Sequence, residues 1–231
     1  MSPILTARDV TKTFGVQPAL RGVDLDLHEG EIVAVRGRSG CGKSTLLHCL
    51  SGIIRPDGGQ VHFRGERLDD TGEAHRSELR RTRFGVLLQH GHLVAELTAA
   101  ENVALPLLLG GGSRRAALAA AATWLGRLGV AEAAEQIPGR LSGGQSQRVA
   151  LARAMVTQPE VLFADEPTGA LDSLAGELVM QLLTRVAREQ GTAVVVVTHD
   201  ATIAAYAERE LVLRDGAVDP TGLGVAVGTG A

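Results

Sequence analysis

One glycine-rich segment organises the chain around it: Gly37-Arg38-Ser39-Gly40-Cys41-Gly42-Lys43-Ser44-Thr45. Residues 31–36 ahead of it read as a short buried strand, and residues 44–50 as the opening turns of a helix. Glycines allow a tight turn that points successive amide N–H groups at phosphate oxygens, and the helix N-terminus adds its positive end. The segment therefore predicts a phosphate-binding loop between a strand and a helix.

Two side chains of this phosphate loop (residues 37–45) carry chemistry. Lys43 would reach the β- and γ-phosphates of a nucleoside triphosphate, and the Ser44 hydroxyl would coordinate Mg²⁺. The alternative is a glycine-rich turn that matches by chance, because the chain holds 29 glycines. However, Lys12 and Lys43 are the only lysines in a chain that otherwise uses arginine, and a compact ammonium fits a narrow phosphate nest. The nucleotide site is therefore favoured.

Composition excludes several classes of protein. The chain has 231 residues, 45% of them hydrophobic, which suits one α/β domain with an inserted lobe. A net charge of −3 provides no basic field, so nucleic acid is not an expected partner. The longest apolar runs are shorter than the roughly 18 residues of a membrane span, and the N-terminus shows no secretory signal. We expect a cytoplasmic chain with no transmembrane segment of its own.

The cysteines give no sign of a disulfide or a metal site. Cys41 lies in the phosphate loop and Cys49 in the following helix, with neither disulfide nor metal-ligand spacing. Two small buried thiols are the favoured interpretation, in keeping with a reducing compartment.

Hydrophobic periodicity predicts an α/β fold. Strands at 4–10, 23–27 and 60–64 would form an antiparallel layer, and further strands are predicted at 31–36, 84–88, 161–164 and 193–198. Helices are predicted at 98–109, 114–128, 142–157 and 173–190. The predicted class is a P-loop NTPase core with a mostly parallel sheet, an N-terminal antiparallel β layer and an inserted α-helical subdomain. The core would comprise residues 1–89 and 158–218, the helical subdomain 90–157, and a flexible tail 219–231.

Polar side chains follow several of the predicted strands and suit phosphoryl transfer to water. Ligands bind beyond the carboxyl ends of parallel strands, so Gln89, Asp165, Glu166 and His199 are expected to share a pocket with the phosphate loop. Asp165 would hold the Mg²⁺ shell, and Glu166 would orient or deprotonate the attacking water. Gln89 would bridge metal and water, and His199 would hydrogen-bond the γ-phosphate. In isolation an Asp-Glu pair is more often a helix cap and a lone histidine a surface group.

A second glycine segment, Leu141-Ser142-Gly143-Gly144-Gln145, has the form of another anion-binding helix start. Ser142 reads as an N-cap, and the two glycines expose amides at the beginning of a helix. One nucleotide does not need two complete phosphate nests, so the pattern suggests two copies facing head to tail, each nest closing over the other's γ-phosphate. The alternative is an ordinary capped helix, and this segment alone does not separate the two.

The chain resembles the ATP-binding cassette ATPases over essentially its whole length. The motifs that carry the resemblance occur in the family's order: Walker A at 37–44, Gln89, the signature at 141–145, Walker B at 161–166, the loop Gly169-Ala170-Leu171-Asp172 and the switch His199. The resemblance implies ATP and Mg²⁺ as cofactors and an ATP-sandwich homodimer coupled to a membrane partner. It implies that Glu166 is the catalytic carboxylate and that Asp172 acts across the dimer. Phe14 stands where the family commonly has an aromatic residue stacked on adenine. The resemblance therefore favours adenine stacking over core packing as the role of Phe14.

Residues 97–109 look like the macrolide-export and lipoprotein-release branch of that family. The chain departs from the branch after Gln89, where His90-Gly91-His92 replaces a stretch that usually contains an aromatic residue and meets the membrane subunit. Two histidines so spaced can bind metal, but no further ligands are evident in the sequence.

The favoured function is the ATP-hydrolysing subunit of a transporter, coupling dimerisation and hydrolysis to a separate permease for export or for lipid, lipoprotein or peptide handling. Such a chain would lie on the cytoplasmic face of the plasma membrane through its permease. The alternative is a non-transport cassette ATPase that transmits force or a signal across the envelope, which would carry the same motifs. A DNA-repair or ribosome-associated cassette would show twin cassettes, a coiled-coil insertion or a basic face, and the sequence has none of these.

Overall fold

The structure is a computed structural model that describes residues 2–89, 91–220 and 224–225. Its strands are β1 Leu5–Phe14, β2 Gln17–Leu27, β3 Ile32–Arg36, β4 Gly58–Phe63, β5 Glu66–Arg67, β6 Phe84–Leu87, β7 Val161–Asp165, β8 Ala193–Thr198, β9 Arg209–Arg214, β10 Ala217–Val218 and β11 Gly224–Val225. Its α-helices are α1 Lys43–Leu50, α2 Glu73–Thr82, α3 Ala99–Leu109, α4 Arg114–Arg127, α5 Gly143–Met155, α6 Ser173–Gln190 and α7 Ala201–Ala204. Short 3₁₀ helices lie at Ala131–Ala133 and Pro138–Arg140.

The strands form two sheets, as the predicted fold class requires. The smaller sheet is antiparallel and has the order β2-β1-β4-β5. The larger has the order β10-β9-β3-β8-β7-β6, in which β9, β3, β8, β7 and β6 run parallel and β10 and β11 add antiparallel pairs to β9. The carboxyl ends of β3, β6, β7 and β8 therefore open on one edge of the sheet.

The β1–β2 hairpin is longer than the sequence predicted. β1 continues to Phe14 and β2 begins at Gln17. The sequence pattern missed these residues because register shifts near Ala7 and Val10 interrupt its period of two. Asp9, in the middle of β1, has a φ of 49°. A bulge moves one side chain out of the alternation, so the pattern fades where the strand continues.

The central strands are apolar on both faces because each face packs against a separate hydrophobic core. In β3, Val33 and Val35 belong to the core shared with the antiparallel sheet and α1, whereas Ile32 and Ala34 belong to the core shared with α3–α6. Burying one such side chain contributes about 1.5–3 kcal/mol. Uninterrupted β-branched runs such as residues 193–198 are typical of strands covered on both faces.

Helix termini follow local signals that the sequence contains. Thr98 and Ser142 each form a capping box, with Glu101 and Gln145 respectively, at the starts of α3 and α5. Gly191 ends α6 with a φ of 68°, a left-handed conformation that glycine adopts without a steric penalty. The helices α3, α4 and α5 occupy the segment expected to be helical, although the division of the chain at 90 and 157 remains a prediction.

Several elements were not predicted, above all α2 and β9. β9 pairs with β3 and supplies one wall of the site described below. The tail predicted at 219–231 lies mostly outside the described residues. Among those described, no helix is both long and apolar enough to cross a bilayer.

Candidate functional site

The phosphate loop joins β3 to α1 at the carboxyl edge of the larger sheet, as its sequence predicted. Gly42 precedes α1 with a φ of 104°, and a Cβ atom there would lie 2.2 Å from the carbonyl oxygen of Ala19 in β2. That distance is far inside van der Waals contact, so the loop reaches its conformation only with glycine at this position.

Lys43 lies at the centre of the loop with only 5% of its surface exposed. Its Nζ donates hydrogen bonds to the carbonyl oxygens of Gly37, at 2.9 Å, and Arg38, at 3.1 Å. The same atom lies 3.9 Å from the Oε1 of Glu166. The loop thus holds a compact, almost fully buried cation between its own backbone and the carboxylate at the end of β7.

Ser44 and Asp165 meet across the sheet edge. The Ser44 hydroxyl donates to Oδ1 of Asp165 at 3.0 Å. Burial raises the pKa of Asp165 above its usual value, and the hydrogen bond from Ser44 offsets part of that shift. Two oxygen ligands of the kind Mg²⁺ prefers therefore converge at the start of α1.

Glu166 is held by a strained turn that follows β7. Its φ of 43° is unusual for a residue with a side chain, and such positions cost about 1–3 kcal/mol and persist only where their surroundings hold them. Here the Glu166 N–H donates to the carbonyl of Val197 at 2.9 Å, and its own carbonyl accepts from Gly169 at 3.0 Å. The turn directs the carboxylate back toward the phosphate loop.

His199 and Gln89 complete the cluster of strand ends. Nδ1 of His199, after β8, lies 3.1 Å from Oε2 of Glu166. Gln89 and Glu166 lie on either side of Gly169, since a Cβ atom on Gly169 would lie 2.8 Å from Nε2 of Gln89 and 3.2 Å from Oε2 of Glu166. The structure therefore brings Gln89, Asp165, Glu166 and His199 together with Lys43 and Ser44, as the strand ends predicted. Of the four strand-end side chains, Glu166 and His199 line the cavity beside the loop, whereas Gln89 and Asp165 do not.

A cavity of about 910 Å³ opens beside the loop. It is lined by residues of the loop and of two neighbouring strand ends: Arg36, Gly37, Arg38, Ser39, Cys41, Glu166, His199, Val212, Leu213, Arg214 and Asp215. The sequence-based prediction did not include residues 212–215. A signal was present, since polar and apolar residues alternate over 209–214 and the turn pair Asp215-Gly216 follows. Their position beside the loop depends on the pairing of β9 with β3.

The second glycine segment (residues 142–145) does not line this cavity. Ser142 accepts from the Gln145 N–H at 3.2 Å, so the segment is a capped helix start with two exposed or half-buried glycines. A Cβ atom on Gly143 would lie 3.3 Å from Leu171, and one on Gly144 would lie 3.4 Å from Ala175. The segment and residues 170–175 therefore form one continuous surface, separate from the phosphate loop of the same chain.

Asp172 and Phe14 also lie apart from the cavity lining. Asp172 caps α6, its Oδ1 accepting from the Ala175 N–H at 2.9 Å. Phe14, at the end of β1, is 53% exposed, and the Nζ of Lys12 lies 5.8 Å from its ring centroid. An exposed aromatic ring at a strand end is not part of the core, so the core-packing alternative for Phe14 is wrong.

The cysteines are buried and unpaired, as expected. Burial raises the pKa of Cys49 to about 12.

Of the two histidines that follow Gln89, His90 lies outside the described residues. No group of three or more metal-binding side chains was found in the described part of the chain.

Comparison with known proteins agrees with this geometry. Residues 20–169 match a family described as ABC transporter. The chain is 44% identical to the lipoprotein-releasing system ATP-binding protein LolD of Geobacter metallireducens, over 94% of this chain and 99% of that protein. Its identity to the protein of the same name from Myxococcus xanthus is 45%, over 93% and 98%. A solved dimeric ATP-binding cassette in a post-hydrolysis state with ADP and Pi superposes with a TM-score of 0.87, at 39% identity, over 93% of this chain and 96% of that one.

Proposed function

Because the chain belongs to the ABC transporter family as an ATP-binding subunit, we propose that it hydrolyses ATP to drive a membrane permease that releases lipoproteins. The observation that carries the ATPase proposal is the cluster around the phosphate loop. Lys43, Ser44, Asp165, Glu166 and His199 come from three separate segments and are linked by contacts of 3.0–3.9 Å. Relatives named for lipoprotein release support transport rather than the force-transmitting alternative.

The triphosphate would lie along the loop, where backbone amides and the α1 N-terminus attract anions. Lys43 would exchange its bonds to two carbonyls for bonds to phosphate oxygens, at a position already fixed by the fold. Residues 37–45 would thus bind the phosphates, and the exposed ring of Phe14 would stack on adenine, an interaction typically worth about 1–3 kcal/mol.

The donor set fits Mg²⁺, a hard cation that prefers oxygen ligands. Ser44 and Asp165 would hold the ion, with the Gln89 amide oxygen as a further ligand. The raised pKa of Asp165 supports this, because a carboxylate that is poorly solvated in the free protein gains most from a bound cation. When bound, Mg²⁺ supplies neutralisation of the charge that develops on the transferred phosphoryl group.

Glu166 would act as the general base. Its carboxylate borders the cavity beside the loop, and the strained turn fixes its direction. It would accept a proton from the attacking water. His199, whose Nδ1 lies 3.1 Å from Oε2 of Glu166, would orient that carboxylate in the nucleotide-free protein and would hydrogen-bond the γ-phosphate instead once ATP is bound. Gln89, on the other side of Gly169, would orient the water.

A second copy of the chain would complete the site. The segment 142–145 presents helix-start amides but is separate from the cavity of its own chain, which supports its use by a partner. In a head-to-tail dimer the nest would approach the partner's γ-phosphate, and Asp172 would move with it because residues 170–175 pack against the two glycines. Two solved cassettes similar to this chain are described as dimeric.

The permease would bind at a groove between α2 and α3, on the cytoplasmic face of the membrane. The groove, about 590 Å³, is lined by Ala74, Ser77, Glu78, Arg80, Arg81, Leu105, Pro106, Leu109 and Arg153. Leu109 is 68% exposed beside these arginines. Exposed apolar side chains rimmed by charges are typical of protein interaction sites.

Co-expression with a candidate permease, chosen from membrane proteins encoded near the chain, tests the transporter assignment. We expect the two proteins to co-purify from the membrane fraction with ATPase activity. Leu109→Asp should abolish co-purification while the isolated chain keeps its ATPase activity. An active chain that never associates with any such membrane protein would contradict the transport role and leave the ATPase assignment intact.

A further inference from the structure

Arg153 of the helix α5 binds the backbone of the segment that follows Gln89. The guanidinium of Arg153 donates from Nη1 to the carbonyl of His92 at 2.9 Å and from Nη2 to the carbonyl of Gly91 at 2.5 Å. Hydrogen bonds from a charged donor are roughly twice as strong as those between neutral groups. Arg153 therefore clamps two consecutive carbonyls, the first of them two residues after Gln89.

Further contacts fix the same turn on α5. The amide of Gln147, one of the few buried polar side chains, donates to the Leu88 carbonyl at 3.3 Å, and Gly91 N–H donates to that carbonyl at 2.9 Å. Gly91 has a φ of 67°, and a Cβ atom there would lie 3.1 Å from the Cβ of Ala150. The backbone on both sides of Gln89 thus rests directly on α5.

The far end of this segment has a separate anchor in α3. Buried Asn102 accepts from the Val94 N–H at 2.7 Å and donates to the carbonyls of Val94 and Leu97 at 3.0 and 3.1 Å. Its contacts begin two residues after the last carbonyl held by Arg153. Loss of the Arg153 contacts would therefore loosen the end next to Gln89, where the contacts with Gln147 and Ala150 would remain, and leave the other end fixed.

The same helix begins at the nest of residues 142–145. Arg153 lies eleven positions after Ser142, which is about 16 Å along a rigid helix. We propose that Arg153 is a positioning residue for ATP hydrolysis, tying the side chain of Gln89 to α5 so that the nest and Gln89 move as one unit. This rests on the role proposed above for Gln89. Arg153 itself does not line the cavity beside the phosphate loop and touches no reacting atom.

The test compares Arg153→Met with Arg127→Met, a matched control in α4 whose guanidinium pairs with Glu189 and lies over Trp124. In Arg153→Met, hydrogen exchange of the peptide covering residues 88–98 should accelerate at least about tenfold, because two charge-assisted bonds are lost. The kcat should fall about 10- to 100-fold, as misplacement of a reactive group by about 1 Å does, while the KM for MgATP stays within about twofold. Arg127→Met should change neither exchange nor kcat.

Epistasis separates this inference from the function on which it rests. If Arg153 acts through Gln89, the double variant Arg153→Met with Gln89→Ala should be no slower than Gln89→Ala alone. Additive losses, or unchanged exchange at 88–98, would overturn the proposal. Full activity of Gln89→Ala would instead show that the assigned role of Gln89 is wrong. If Arg153→Met does not fold, Arg153→Gln, which also removes the charge, is measured against the same expectations.

Discussion

Replacing Glu166 by glutamine removes the proposed general base with almost no change of shape. The carboxylate interacts with two groups, Lys43 Nζ at 3.9 Å and His199 Nδ1 at 3.1 Å. Lys43 keeps its bonds to the Gly37 and Arg38 carbonyls, and the amide can still hydrogen-bond His199, so the loss of folding stability should be about 1 kcal/mol. The strain of the left-handed turn is the same in both proteins, because the backbone is unchanged.

The catalytic loss should be much larger than the loss of stability. A positioned general base contributes about 10²–10⁴-fold to the rate, which corresponds to roughly 2.7–5.4 kcal/mol in the barrier. We expect Glu166→Gln to bind ATP as tightly as the parent, to hydrolyse it at least about 100-fold more slowly, and to accumulate as a dimer. Single-turnover hydrolysis, equilibrium nucleotide binding and sedimentation with MgATP measure these three quantities.

Glu160→Gln is the matched control, since Glu160 lies just before β7 and Glu166 lies just after it. Glu160 is similarly buried and pairs with Arg64 and Arg83. Its replacement should lower stability and leave hydrolysis unchanged, because it lies at the edge of the sheet away from the phosphate loop. Hydrolysis by Glu166→Gln at the parent rate would refute the assigned role. A hydrolysis-blocked variant that stays monomeric with ATP and permease would refute the head-to-tail site.

Two further predictions concern the same site. The raised pKa of Asp165 means that the fold disfavours its ionised form, so at neutral pH Asp165→Asn should raise the melting temperature of the nucleotide-free protein while abolishing Mg²⁺-dependent hydrolysis. This gain should vanish below about pH 4, where the aspartate is protonated in the unfolded chain as well; a variant that is less stable at pH 7 would contradict the burial argument. A thiol reagent should modify Cys41 and inhibit hydrolysis, with protection by ATP, because Cys41 borders the cavity beside the loop. Cys49, with its pKa near 12, should stay unmodified. If Cys41 is labelled as fast with saturating ATP as without ATP, it does not border the phosphates.

The local part of the site could be predicted because its signals are local. The phosphate loop needs left-handed glycines and a lysine at fixed spacing, and the helix caps Thr98, Ser142 and Asp172 each accept from the amide three residues further on. The β-branched run at 193–198 predicted a central strand because both of its faces are buried. These relations span a few residues, so the order of residue types contains them.

Contacts between distant segments needed the tertiary structure. The hairpin extension to Phe14 was hidden by the bulge in β1, and the place of β9 beside β3 depends on pairing between residues more than 170 positions apart. The same holds for the clamp of Arg153 on the carbonyls of Gly91 and His92. A carbonyl has no side-chain identity, so no residue pattern could mark it as a partner.

The sequence by itself thus determined the phosphate loop, the caps, the alternation of strands and helices, and the family. Only the tertiary structure decided that the end of β9 borders the site, how Glu166 is turned toward Lys43, and that residues 142–145 share a surface with 170–175 and lie apart from their own loop. The physical reason is that backbone conformation responds to neighbouring residues, whereas the position of a side chain at a site depends on sheet order and packing across the whole fold.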